Sequence, residues 1–207
     1  MAMTDRIFTA LKSGDGAAPA TPPTRLPARL PVCDHLEAAL DHARGGPVPE
    51  LGAAFAAIEP AFVWFRRPEA AQVAGDFYEN HANAVIIGDG GLEARRDVRI
   101  GVSLVAPDIH YPRHHHPPEE LYVVLSSGKW MQNDNPLVPK QSGDLVHNPP
   151  NVWHAMQATG TAPLPGRRCP PQHRRRRRSV LPTGRARAAA VARRAAAGAC
   201  RSQLSPL

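Results

Sequence analysis

The sequence predicts a mainly β protein, a small barrel or sandwich fronted by α-helices at its N-terminus. Three observations lead there. Up to about residue 60, apolar residues recur at helical spacing. From about residue 77 they fall instead into short runs, with Gly, Pro, Asn and Asp between them. Helices followed by a succession of strands is the pattern of a sheet structure that carries its helices on one side. A chain of 207 residues is long enough for one domain with a full core, with or without tails.

Residues 4–13 (TDRIFTALKS) put Ile7, Phe8 and Leu11 at helical spacing behind Thr4, a candidate N-cap. A Pro/Ala/Gly linker follows over 14–31. Residues 34–44 (DHLEAALDHAR) predict a second helix, with Asp34 as cap and Gly45-Gly46 as stop. A third is predicted over 50–58, ended by Pro60. The aromatic cluster of Phe62, Trp64 and Phe65 is expected at the seam where helices dock on a sheet. Strands are predicted over 82–88, 98–105, 121–126, 129–132, 145–146 and 152–156. The turn at 88–91 (GDGG) lacks the lysine and following helix of a phosphate-binding loop, so no nucleotide role is assigned.

The formal charge of +7 suggests nucleic acid at first sight, but its position argues otherwise. Twelve arginines and no acidic residue lie from Arg167 to the end, and without them 13 basic residues face 18 acidic ones. The body is mildly acidic and the basicity is all tail. A nucleic-acid role is not expected, because no helix-turn-helix or aromatic-interleaved platform accompanies the arginine run. Cys33, Cys169 and Cys200 form neither a disulfide framework nor a zinc pattern, which suits a reducing cytoplasm. No apolar run approaches the ~18 residues of a membrane span, and no export signal is visible at the N-terminus. A cytoplasmic protein is expected.

Two stretches carry the chemistry. The first is residues 111–122 (YPRHHHPPEELY) and the second residues 143–154 (GDLVHNPPNVWH). In a strand, residues two apart share a face, so His114 and His116 point together and His115 points away. Pro117-Pro118 forces a turn or an edge. Glu120 and Tyr122 then share one face of the next strand, and Leu121, Val123 and Leu125 the other. If the polar face points into a barrel, His114, His116, Glu120 and Tyr122 converge there, and His154 adds a nitrogen from a later strand. Imidazoles with a carboxylate suit one divalent transition metal ion, and iron, zinc, manganese, nickel and cobalt all fit such a set. His147 is expected to be exposed or structural. Trp130 and Trp153 could line the pocket, with core packing the expected role of each.

The spacing HxH-x3-E followed by G-x5-P-x-N-x2-H is similar to the two metal-binding motifs of the cupin superfamily. His114, His116 and Glu120 match the first motif and His154 the second. The leading Gly of the first motif is Asp108 here, its trailing Gly falls one residue late at Gly128, and the second Gly of the second motif is Asn151. Over roughly residues 60–158 the chain resembles the cupin-type dimethylsulfoniopropionate (DMSP) lyases, in particular their Q-type branch. Tyr111 and Tyr122 are the residues that set this resemblance apart from a generic cupin. It implies a cupin barrel (double-stranded β-helix) behind N-terminal helices, and a metal held by His116, Glu120 and His154 with Tyr122 beside it. His114 is a further ligand candidate.

The implied substrate is a small zwitterion with a carboxylate and a dimethylsulfonium group, and the implied reaction is β-elimination to acrylate and dimethyl sulfide. A divalent metal can hold the carboxylate and acidify the adjacent C–H. Free tyrosine titrates near ~10, and a neighbouring cation favours the phenolate. Tyr122 is therefore the candidate general base and Tyr111 the second candidate. Aromatic faces also suit a sulfonium cation. The alternatives are a non-catalytic cupin that binds a small ligand or senses metal, and an inactive truncated lyase.

The sequence thus divides into residues 1–60, helical region and linker; 61–162, the barrel with its metal site; and 163–207, an Arg/Ala/Pro-rich tail. The tail has no acidic or aromatic residue and no period-2 pattern. It is expected to be disordered or read out of frame after a frame change near 159–166, leaving the barrel without its C-terminal strands.

Overall fold

A computed structural model describes residues 3–13, 26–73 and 75–159, together with the backbone of 187–193 and 203–204. Among these residues three α-helices come first: α1 (Met3–Ser13), α2 (Leu36–Arg44) and α3 (Pro49–Ile58). Ten strands follow: β1 (His81–Ile87), β2 (Arg99–Val105), β3 (His110–His115), β4 (Glu120–Val124), β5 (Gly128–Gln132), β6 (Val138–Lys140), β7 (Leu145–Asn148), β8 (His154–Ala158), β9 (Arg187–Arg193) and β10 (Gln203–Leu204). They form two five-stranded antiparallel sheets, in the orders β1-β2-β9-β4-β7 and β10-β3-β8-β5-β6. This is the expected cupin-type barrel.

The helices and the first sheet share one core. Leu36, Ala39 and Leu40 of α2 and Phe55 of α3 pack with Phe62, Trp64, Ala82, Ala84, Val102 and Leu104. The aromatic cluster thus sits at the seam between helices and sheet. Burying a side chain of the size of Leu or Phe contributes ~1.5–3 kcal/mol, so this seam anchors β1 and β2. Trp64 also donates its indole N–H to the buried Glu59 at 2.8 Å. Further along the outer face of the same sheet, Ile7 of α1 packs on Val98 and Leu121. Arg6 of α1 holds both oxygens of Glu119 at 2.8 Å, and Arg95 donates to the Ala10 carbonyl at 2.6 Å.

The second helix begins differently from the expectation. A 3-10 turn over Pro31–His35 precedes it, and α2 starts at Leu36 with no side-chain cap, so Asp34 is not the cap. Pro31 presets φ for a helical first turn and starts the coiling upstream. Strand β3 carries Pro112, which has no N–H to give, and the β3–β8 register shifts between Tyr111 and His114.

Asp108 and Asn151, which replace glycines of the cupin motifs, both adopt left-handed backbone, with φ of 63° and 61°. Asp and Asn are the non-glycine residues that best tolerate this region, so the turns survive the replacements. The Asn151 N–H donates to the His116 carbonyl at 2.8 Å, which ties the second motif to the first.

The tail departs from expectation in one respect. The barrel was expected to lack its C-terminal strands, yet β9 lies between β2 and β4, and β10 pairs with β3. Without β9, β2 and β4 would leave facing rows of backbone donors and acceptors, and pairing with them needs no side-chain pattern. The rest of 163–207, with its expected disorder or altered frame, lies outside the described residues. Cys33 is a buried free thiol. Among the described residues, no helix is long and apolar enough to cross a membrane.

Candidate metal centre

The barrel interior is defined by alternation. Along β1 and β2, Ala82, Ala84, Val102 and Leu104 face the helices. Val105 faces the other way, into a cluster with Tyr111, Tyr122, Val124, Trp130, Val146 and Met156. The polar face of β3, β4 and β8 points into this same interior. His114, His154 and Glu120 are completely buried, and His116 is 3% exposed.

Each of the three histidines is fixed by a backbone carbonyl two residues away. His114 Nδ1 bonds the Pro112 carbonyl at 2.8 Å, His116 Nδ1 that of Pro118 at 3.0 Å, and His154 Nδ1 that of Val152 at 2.9 Å. A carbonyl can only accept, so each Nδ1 carries the proton and each Nε2 presents a lone pair. Ligand nitrogens of the three lie within 4.8 Å of one another. All three Nε2 atoms are buried and make no hydrogen bond. His116 and His154 Nε2 do lie 3.0 and 3.3 Å from Glu120 Oε2, but off the geometry of a hydrogen bond. Three tautomer-fixed imidazoles with orphaned, converging lone pairs are the donor set of a metal site, each with its outer nitrogen already anchored. The buried triad can therefore bind a metal ion. Burial, then the neighbouring His154 and Arg67, hold His114 well below the usual histidine pKa, which keeps its nitrogen available.

Glu120 and Tyr122 stand beside the triad. Tyr122, 1% exposed, donates its hydroxyl to Glu120 Oε2 at 3.0 Å. Asn148 Nδ2 donates to the same oxygen at 3.3 Å, and Gln132 Nε2 holds Asn148 Oδ1 at 2.6 Å. Tyr111 is stacked on His114 with ring centroids 4.8 Å apart, and it meets Phe77 at 4.5 Å. All six residues singled out from the sequence thus gather in one interior.

His115 points away, as its position requires, and packs edge-on against Trp153 at 4.1 Å. Trp153 also lies under the Arg113 guanidinium at 4.9 Å, so it belongs to the outside of the barrel and not to the site. Trp130 belongs to the interior core. His147 is exposed and pairs with Glu119 at 2.8 Å. Sequence reasoning missed Asn148, which faces Glu120 across β4 and β7. Its signal was a polar residue two after Val146, on the inward face. It also missed His81, fully buried against Phe77 with centroids 4.0 Å apart.

A family model for dimethylsulfoniopropionate lyase matches residues 2–165. The lyase DddQ of Ruegeria pomeroyi is 29% identical over 110 residues, covering 49% of this chain and 55% of that protein. DddL of Cereibacter sphaeroides is 28% identical over 139 residues, covering 67% of this chain and 58% of its own length. The chain therefore spans little more than half of either relative. A chain from the crystal structures of the DMSP lyases RdDddP and RnDddQII shares the fold. Its TM-score is 0.64 at 24% identity, with 95% of this chain and 88% of that one covered. With a family match running from the first helix to beyond the second motif, the chain belongs to the dimethylsulfoniopropionate lyase family.

Proposed function

We propose that the protein is a metal-dependent carbon–sulfur lyase that converts dimethylsulfoniopropionate to acrylate and dimethyl sulfide. The observation that carries this reading is the convergence of three orphaned imidazole nitrogens beside Glu120 and Tyr122 in a buried interior. His116, His154 and Glu120 would hold the ion, with His114 as the further ligand. A bound divalent ion would draw charge from the substrate carboxylate and so acidify the adjacent C–H.

Tyr122 is the base. Its hydroxyl is already engaged by Glu120, which orients it and can draw on its proton. The phenolate takes the α proton, the C–H electrons form the double bond, and the C–S bond breaks with its pair on sulfur. The sulfonium leaves as neutral sulfide. Tyr111 is the second candidate for proton handling, and its ring with that of Phe77 offers an electron-rich wall to the sulfonium. The dry surroundings strengthen each of these interactions.

The test is a headspace assay for dimethyl sulfide on the metal-loaded protein and its Tyr122→Phe variant. The variant is expected to lose about 10²- to 10⁴-fold in kcat while keeping its metal content. Equal release from both proteins would overturn the assignment of the base.

The same reading treats the change of language after residue 161 as a frame change in the region of 159–166. What supports it is that the family match stops at residue 165, where the Arg/Ala/Pro composition begins. Sequencing the gene from an independent isolate tests it. An intact frame that encodes and expresses the tail as written would remove it.

A further inference from the structure

The interior has a polar shelf that the elimination chemistry has not used. Along β1 and β2, Asn83 lies opposite Ser103, two residues from the His81–Val105 pair, so both face inward. Asn83 is 6% exposed. Its Oδ1 accepts the Ser103 hydroxyl at 2.7 Å, but its Nδ2 is buried with no hydrogen-bond partner. A buried amide donor left without an acceptor is costly, and its presence points to a ligand that supplies one.

Both residues line a cleft of about 230 Å³ that reaches His116 of the triad. Arg67 lines it too, half-buried. Its neighbour Arg66 is neutralised by Glu79 at 2.6 Å, whereas Arg67 makes no ion pair among the described residues. The acidic side chain lining the same cleft, Glu69, is exposed to solvent. An unpaired guanidinium and an orphaned amide N–H, lining the cleft that reaches His116, form a donor set for one carboxylate.

We propose that Arg67 and Asn83, with Ser103 orienting the amide, form the subsite that takes one oxygen of the carboxylate of a short zwitterionic substrate, leaving the other oxygen for the ion that the triad would hold. This rests on the lyase reading for the identity of the substrate, but not for the chemistry of the subsite. It also sets the direction of binding. The Arg67 charge repels an onium group, so the sulfonium is turned toward the aromatic side of the interior, where Tyr111 and Phe77 stand. The subsite accordingly selects short carboxylates bearing a cation at the far end, and rejects the corresponding amides and esters.

The test uses the full-length, as-purified protein and two variants, with metal content measured in each. Arg67→Ala removes the cation from a half-exposed position. Asn83→Asp keeps the acceptor for Ser103 and replaces the free N–H2 with a carboxylate oxygen, and circular dichroism and thermal melting check that each variant is folded. Acrylate binding is measured by calorimetry, with acrylamide as the uncharged probe. Each variant is expected to weaken acrylate binding about tenfold to a hundredfold, to raise KM for dimethylsulfoniopropionate more than it lowers kcat, and to leave acrylamide binding unchanged. Arg67→Lys is expected to recover part of the loss. Acrylate affinity and KM unchanged in both variants would overturn the subsite while leaving the lyase reading standing. A wild type that binds acrylate through these residues but releases no dimethyl sulfide would do the reverse.

Discussion

Strands β7 and β9 flank the same strand, β4, and could hardly differ more in what places them. β7 (Leu-Val-His-Asn) alternates exposed and buried residues, and its Val146 and Asn148 face inward beside Tyr122 and Glu120. A slip of one residue would turn that pair outward, so its register is specified. β9 (Arg-Ala-Ala-Ala-Val-Ala-Arg) shares backbone bonds with β2 and β4 but has no alternation in its sequence. Backbone pairing gives such a strand a place without giving it a reason for one register over another. The contrast shows that a hydrogen-bond ladder fills a gap, whereas only side-chain pattern fixes what sits beside the site.

Four measurements press on this contrast. The largest effect is expected from the patterned side: His154→Ala removes one of three converging nitrogens, and should reduce metal retention and dimethyl sulfide release more than about a hundredfold. Full activity in that variant would detach the site from the function. Next, Leu104→Ala opens a cavity at the seam between β2 and the helices, and an expected loss of ~2–5 kcal/mol is read by denaturant unfolding. Removing residues 163–207 should cost less, below ~2 kcal/mol, because the alanines that dominate β9 have low strand propensity and little to bury. A loss exceeding that of Leu104→Ala would show that the β9 ladder carries the sheet.

The smallest effect is one of pH. Burial depresses His81 below the ordinary histidine value of 6.5. The unfolded chain therefore takes up a proton through that range while the folded chain does not, and stability should fall as pH drops below about 6.5, by at most about 1.4 kcal/mol per unit for one group. Melting followed from pH 8 to pH 5 should show a shallower acid-side slope in His81→Gln than in wild type.

The sequence made the inward face legible because its signals were local. HxH, the Pro-Pro turn and Glu120 with Tyr122 obey the two-residue period of a strand, and the structure brings them together as that period requires. Phe62 and Trp64 announced the helix seam by bulk alone. What escaped were pairings between distant residues. Asn148 reads as a loop residue until β7 is laid against β4, and Asn83 reads as a polar residue in an ordinary strand until Ser103 is placed opposite. Strand β6 (Val-Pro-Lys) was hidden by Pro139, which is tolerated on an edge. Trp153 was offered to the pocket because an isolated aromatic carries no sign of which face it is on.

The first helix has a consequence for how the molecule is made. Arg6 and Ile7 of α1 find their partners at Glu119 and Leu121, more than a hundred residues downstream. Helix α1 is thus synthesised well before its partners and docks late. At synthesis rates of about 5–20 residues per second, α1 waits roughly 5 to 20 seconds with its apolar side uncovered. A bulky group fused close ahead of α1 should therefore affect the soluble yield of this protein more than its final activity.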